Sequence, residues 1–352
     1  MTIAQRKADH IELCLNGPVD FVAKTTMFEH VELLHDALPE LDIDQIDTTV
    51  EILGKRLTAP IVIAAMTGGT KRGLAMNRVL SQVAEERGYG FGLGSQRPML
   101  AQLDDPTYQV REGAPSCLLL GNLASVQARD LPTARVAELA QAVGADGMCI
   151  HLSPAMELIQ PGGDRDFTGL MDTFARLVDE LPVPVVAKET GCGISPRVAA
   201  RLAGAGVRHL DVSGAGGTSW VAVEALRASG TAAEVGATLH DWGVPTAASV
   251  AFAQAARPAF ETIIATGGIG TGLDVARALV LGAHAAGMAR AVLKAYEAGS
   301  RDGVMALFDR VEQELRSIML LVGAGTIAEL RRSPRIIGAP LAQWLAAAKG
   351  HD

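Results

Sequence analysis

Ser213-Gly214-Ala215-Gly216-Gly217-Thr218 and Thr266-Gly267-Gly268-Ile269-Gly270-Thr271-Gly272 decide how this chain is read. Each directly follows a short apolar run, 208–212 and 262–265, and the second leads straight into a helical pattern over 273–281. Glycines at a strand-to-helix turn let backbone N–H groups approach a phosphate with no Cβ in the way, and the helix dipole favours the negative charge. A third apolar run ends at Gly287-Met288-Ala289-Arg290. Two such turns on successive strand–helix units, followed by that run, predict a phosphate-bearing cofactor at one end of an α/β barrel.

Outward from these turns, short runs of Val, Ile, Leu and Ala alternate with longer amphipathic stretches, the pattern of parallel strands covered by helices. Strands are predicted at 60–66, 89–94, 117–121, 147–151, 184–188, 208–213, 262–266 and 285–289, with helices at 75–87, 131–143, 168–181, 195–206, 247–255 and 272–281. Eight strands indicate a (β/α)8 TIM barrel rather than a doubly wound sheet, whose glycine signal would fall on the first strand. Polar and glycine residues cluster at the strand ends where such a barrel keeps its site: Thr67, Ser95, Arg97, Asn122, His151, Lys188, Asp211, Ser213, Gly267 and Arg290. The expected organisation is an N-terminal extension over 1–59, a barrel over 60–290 and a helical tail over 291–352. The apolar face of the tail (Val304, Leu307, Phe308, Val311, Leu315, Met319, Leu320) predicts a helix that closes the barrel or packs on another subunit.

At 352 residues and 49% hydrophobic, the chain can bury a large core. Its net charge of -8 argues against nucleic acid or an anionic membrane surface as partner. An anionic ligand must then be held by local basic groups and backbone amides. Cys14, Cys117, Cys149 and Cys192 show no metal-ligand spacing and read as small hydrophobes in a reducing compartment. No apolar leader opens the sequence and no uncharged apolar stretch of about 18 residues occurs, so a cytoplasmic protein with no membrane partner is expected.

Lys188 ends the fifth strand, where a lysine either forms a Schiff base or supplies positive charge. Beside two phosphate-type turns, a cation near a flavin ring fits better. His151 ends the fourth strand and is a candidate functional imidazole. Glu157 is a candidate Mg²⁺ ligand, since that ion takes carboxylate, water and phosphate oxygens. Trp220 could cover an apolar ligand, and Glu224 could trade a proton or bind metal. Arg97 could clamp a phosphate, and Arg6, Lys7 and His10 form a basic cluster in an acidic chain.

Together these motifs resemble the type 2 isopentenyl-diphosphate isomerases over nearly the whole length. The resemblance is carried by Arg6-Lys7-x-x-His10, Lys24-Thr25-Thr26, Ala65-Met66-Thr67-Gly68-Gly69 and Gly94-Ser95-Gln96-Arg97. It continues through Asn122-Leu123, His151, Glu157, Lys188-Glu189, Gly214-Ala215-Gly216-Gly217-Thr218-Ser219-Trp220 and Gly267-Gly268. It implies conversion of isopentenyl diphosphate to dimethylallyl diphosphate with FMN reduced by NAD(P)H and with Mg²⁺, by a homo-oligomer of tetramer or octamer type. It further implies that Arg6, Lys7, His10, Ser95, Arg97 and His151 bind the diphosphate. Thr67, Gly68, Ser95, Asn122, Lys188, Ser213, Thr218, Gly267, Gly268, Ala289 and Arg290 would surround FMN, and Glu157 would ligate Mg²⁺. His151, Trp220 and Glu224 would serve the reacting end.

One departure stands out. The family's fourth-strand motif His-x-Asn-x-x-Gln-Glu has Ser153 and Met156 in place of its asparagine and glutamine. A thioether is only a weak acceptor and shuttles no proton. Two further readings therefore stand beside the isomerase: an FMN-dependent oxidoreductase on a related phosphorylated or prenyl substrate, and a catalytically silent FMN-binding protein. The 2-hydroxy-acid oxidases, with a His-Gly-Gly-Arg element after strand six, are excluded by Ala215-Gly216-Gly217-Thr218. The inosinate dehydrogenases need a cysteine in that region, and none follows Cys192.

Overall fold

The computed structural model describes residues 3–348. The outer ends of the expected extension and tail, residues 1–2 and 349–352, lie outside the described residues. Eight parallel strands close into a barrel: β1 (Ile61–Ile63), β2 (Gly90–Gly92), β3 (Leu118–Ala124), β4 (Gly147–Leu152), β5 (Val185–Glu189), β6 (His209–Asp211), β7 (Thr262–Thr266) and β8 (Ala285–Met288). Every strand lies within two or three residues of its sequence-predicted position. β8 pairs with β1 through Ala286↔Ile61 to complete the ring.

The two-residue period of a strand sorts its side chains into inside and outside. Val62, Leu118, Leu120, Cys149, Val186, Ile264 and Ala285 point into the barrel and form one apolar cluster. Ile61, Ile63, Leu119, Ile150, Ala187, Leu210 and Ile263 point outward into the larger core beneath the helices. A hairpin of Val50–Ile52 and Lys55–Leu57 plugs the barrel floor, its Ile52 and Leu57 joining the interior cluster.

Two residues further along the same inward faces, the layer turns polar. Asn122 follows Leu120, His151 follows Cys149, Lys188 follows Val186 and Thr266 follows Ile264. Strand register sets these groups side by side, with His151 opposite Lys188 and Lys188 opposite Asp211. All of them are buried.

The long helix Arg290–Leu321 starts directly after β8 and is the barrel's eighth helix, bent at Gly299 and Ser300. It buries Val304, Phe308, Val311, Leu315 and Met319 against Lys71–Arg87 and Gly272–Val280. Full burial of side chains this size stabilises by roughly 1.5–3 kcal/mol each. Within this chain the tail helix packs on the barrel's own helices. Leu307 and Leu320 are only half-buried. The tail is not wholly helical: Arg335–Ile337 forms an antiparallel pair with Val31–Leu33 and ties tail to extension. Among the described residues, no helix is long and apolar enough to cross a membrane.

Candidate active site

A cavity of about 510 Å³ opens at the C-terminal end of the barrel, the end at which TIM-barrel sites lie. The N-terminal helix Ile3–Asn16 lies across its mouth. Arg6, Lys7, His10, Ile11 and Cys14, spaced three to four apart on one helical face, line the cavity. A chain that is acidic overall thus concentrates cations over this opening. Arg97 lies on the same wall, and its charge together with burial lowers the Arg6 pKa, burial being the larger effect.

Lys7 is held in detail. Its Nζ donates to the Ser95 carbonyl at 3.0 Å and to Tyr108 Oη at 2.6 Å, with Nζ 5.2 Å from the Tyr108 ring centre. Tyr108 in turn donates to the same carbonyl at 2.6 Å. Burial first, then the Arg6 charge, push the Lys7 amine down to about 7, with Asp105 opposing.

In the polar layer, Asn122 Nδ2 donates to the Leu93 carbonyl at 3.1 Å, so its Oδ1 is the acceptor for His151 Nδ1 at 2.7 Å. His151 therefore carries its proton on Nδ1. Burial, with the charges of Lys188 and Lys7, pushes its pKa down to about 3. In the free protein it is a neutral imidazole with Nε2 as a lone-pair acceptor. Lys188 forms an ion pair with Asp211 Oδ2 at 2.9 Å and also donates to the Glu189 carbonyl at 3.1 Å. Glu189 points elsewhere: it accepts the Cys192 and Gly193 amides and shapes the loop after β5, while burial raises its pKa to about 7.

The two glycine turns meet each other. A Cβ on Gly217 would sit 2.4 Å from the Gly268 nitrogen, and one on Gly216 would sit 2.1 Å from the Thr26 nitrogen. Thr26 also accepts from the Ala247 amide at 3.0 Å. Lys24-Thr25-Thr26 is thus the wedge that locks the turns after β6 and β7 together. At the strand ends, Thr67 and Thr266 hydroxyls are buried without a hydrogen-bond partner. Such orphans ask for a polar ligand, and the glycine cradle suits a phosphate. The residues present fit FMN.

On the opposite wall, Met156 and Glu157 project from the helix Pro154–Ile159. Glu157 Oε2 accepts from Gln160 Nε2 at 3.1 Å and from the Asp164 amide at 3.0 Å. Burial raises its pKa, with the Asp164 amide opposing. One carboxylate open to bound phosphate oxygens fits a Mg²⁺ site. Trp220 lines the cavity and packs edge-on against His10, ring centres 5.1 Å apart.

Thr67, Ser95, Asn122, His151, Met156, Glu157, Lys188, Ser213, Thr218, Trp220, Gly267, Gly268, Ala289 and Arg290 all line the cavity. Two expected site residues do not. A Cβ on Gly68 would meet the Tyr108 ring at 2.3 Å, so this glycine serves the packing of Tyr108. Glu224 is fully buried behind Trp220 and bonds His10 Nε2 at 2.6 Å and Arg227 Nη1 at 2.5 Å. It acts on the cavity from behind, through its bond to His10 and through its charge, which opposes the lowering of the Arg6 pKa. Arg290 reaches the wall, but its guanidinium is committed to the Cys14 carbonyl and Asp20, tethering the extension. Ser153 lines a different cleft. Sequence reasoning missed Tyr108 and Gln160, which lie outside the motifs. The Gln160-Pro161-Gly162-Gly163 turn was the available signal for the second.

Residues 155–336 match the family of FMN-dependent dehydrogenases. Over 345 residues the chain is 41% identical to the isopentenyl-diphosphate delta-isomerase of Methanosarcina barkeri, covering 96% of this chain and 92% of that one. It is 39% identical to that of Pyrococcus abyssi, covering 97% and 94%. The chain belongs to the type 2 isopentenyl-diphosphate isomerase family. In fold it is similar to a mandelate oxidase solved with a C4a-OH-FMN adduct, with a TM-score of 0.62 at 18% identity over 96% of this chain and 100% of that one. That likeness concerns the barrel alone.

Proposed function

We propose that this protein converts isopentenyl diphosphate to dimethylallyl diphosphate using reduced FMN and Mg²⁺. The observation that carries this reading is the basic helix face of Arg6, Lys7 and His10 lining the same barrel-mouth cavity as the paired glycine turns. An FMN-binding barrel has no need of such a face. A diphosphate does.

In this reading Arg6, Lys7, His10, Ser95, Arg97 and His151 hold the diphosphate with the cation on Glu157. Thr67, Asn122, Lys188, Ser213, Thr218, Gly267, Gly268 and Ala289 surround FMN. When bound, reduced FMN would supply an N5 able to exchange a proton with carbon, and Mg²⁺ would neutralise diphosphate charge. The reaction adds one proton at the terminal methylene and removes one from C2, moving the double bond without net redox change. Anchoring the charged end leaves the five-carbon tail at Met156 and Trp220, which exclude water from it. Glu224 fixes His10 beside Trp220.

The extension over 1–59 then supplies substrate-binding residues to the barrel over 60–290, and the tail over 291–352 buttresses it. NAD(P)H is the expected reductant, and a tetramer or octamer the expected assembly. Four free cysteines suit a reducing cytoplasm.

Met156 on the cavity wall favours one second reading, an oxidoreductase of related prenyl or phosphorylated substrates. The two separate by NMR in D₂O with isopentenyl diphosphate, FMN, Mg²⁺ and NADPH under anaerobic conditions. Deuterated dimethylallyl diphosphate, absent when flavin stays oxidised, supports the isomerase. No exchange with flavin bound and reduced sinks it.

A further inference from the structure

Glu157 is clasped from one side. Its Oε2 takes both the Gln160 side-chain amide and the Asp164 backbone N–H, and among the described residues no hydrogen bond is made to Oε1. The clasp is built into the chain just after the helix. Gln160 follows Met156 by one turn, its backbone N–H bonded to the Met156 carbonyl at 2.9 Å, and it is only 2% exposed while lining the cavity. The chain then doubles back so tightly that a Cβ on Gly163 would lie 2.2 Å from the Glu157 carbonyl oxygen and 2.9 Å from Oε2. Gln127, on the cavity wall too, donates to Asp164 Oδ2 at 3.3 Å and secures the returning strand of this loop.

A carboxylate on a flexible side chain can present either oxygen and several rotamers to a cation. Fixing one oxygen with two donors leaves the other as the single coordinating atom and removes the entropy cost of choosing it. We infer that Gln160 is a positioning residue that, with the Asp164 amide, sets the Glu157 carboxylate so that Oε1 takes the divalent cation. The inference rests on Glu157 being the cation ligand. It also gives the loop a purpose that a purely apolar Met156 wall would not need: a buried amide so close to the cavity would otherwise be a desolvated cost.

The test is Mn²⁺ affinity, read by electron paramagnetic resonance on the flavin-loaded protein with inorganic pyrophosphate present. Gln160→Met keeps the side-chain length and removes both the donor and the acceptor. It should weaken Mn²⁺ binding about 10-fold or more, the usual cost of losing a partner that orients a metal ligand, while saturating Mg²⁺ makes up for the weaker site, so that the loss shows in the Mg²⁺ requirement rather than in kcat. Gly163→Ala should weaken Mn²⁺ in the same way by lifting the loop, and it provides the reading if Gln160→Met does not fold. Unchanged Mn²⁺ affinity in both, with Glu157→Gln still abolishing it, overturns the role of Gln160 and leaves Glu157 as ligand. Unchanged affinity in Glu157→Gln overturns the ligand assignment itself. A fall in kcat at saturating Mg²⁺ with Mn²⁺ affinity intact would show Gln160 acting on substrate rather than on Glu157.

Discussion

Before any anion enters, His151 is neutral, with its pKa pushed down to about 3, and Lys7 is near its midpoint at about 7. An oxygen of a bound diphosphate facing His151 Nε2 would meet a lone pair, so binding must bring a proton. Both groups are cationic when protonated, so an incoming anion raises their pKa values and protons are taken up. Affinity should therefore fall as pH rises from 7 to 9. The groups facing Lys7 are Arg6, Asp105, Tyr108 and the Ser95 carbonyl, and none of them changes this sign below pH 9. Calorimetry of pyrophosphate binding at pH 8 in buffers of different ionisation heat should show uptake of about two protons, one at His151 and most of one at Lys7; zero uptake would mean that the diphosphate avoids both groups. Lys7→Met should weaken binding at pH 6.5 and flatten the pH dependence. Met156 lines the same cavity, next to Glu157 on one short helix. Met156→Gln restores a carboxamide where the family has one, and turnover measured by NMR is expected to rise about 100-fold, the lower end of what a positioned proton-transfer group contributes. No change would show that the thioether position carries no proton.

At the scale of elements, the two glycine turns and Thr26 form a single joint. Gly217→Ala would drive a methyl into the Gly268 backbone, which cannot yield as a side-chain tip can. We expect a loss of roughly 2–4 kcal/mol in stability and loss of flavin on gel filtration. Gly270 sits in the same turn with nothing within 4 Å of its Cβ position, so Gly270→Ala should leave the melting temperature unchanged. Equal effects in the two variants would show that the joint is not what makes these glycines necessary. The barrel strands were legible because each is a run of apolar residues flanked by glycine or polar residues, and that signal survives even where β1, β2 and β6 are three residues long. The pair Val31–Leu33 with Arg335–Ile337 was not. Three residues give too little alternation to establish a period, and their partner lies about 300 residues away. The floor hairpin was hidden for the same reason, its turn marked only by Leu53-Gly54.

At the scale of the molecule, the polar layer was readable because it ends strands, whereas burial was not. Nothing in the local sequence distinguishes Glu224, locked behind His10, from Glu157, which borders the cavity; only the packing of the extension across the mouth separates them. The same extension shapes the outer surface. Val22 and Ala23 donate their amides to Asp241, so this segment lies beside Trp242. Val22 is 84% and Trp242 61% exposed, and Trp242 borders a second, largely apolar cleft of about 1340 Å³ shared with Leu158 and Trp344. Large side chains exposed together are costly in water and are the usual anchors of subunit contacts. In a homo-oligomer this face is the one to cover, and it sits next to the helix that carries Met156 and Glu157. Trp242→Glu places a charge in that contact, so light scattering at micromolar concentration should show the parent as an oligomer and the variant as a smaller species. A variant that keeps the parent mass moves the contact to another face. A parent that is itself monomeric removes assembly from the account, and the cavity must then function within one chain.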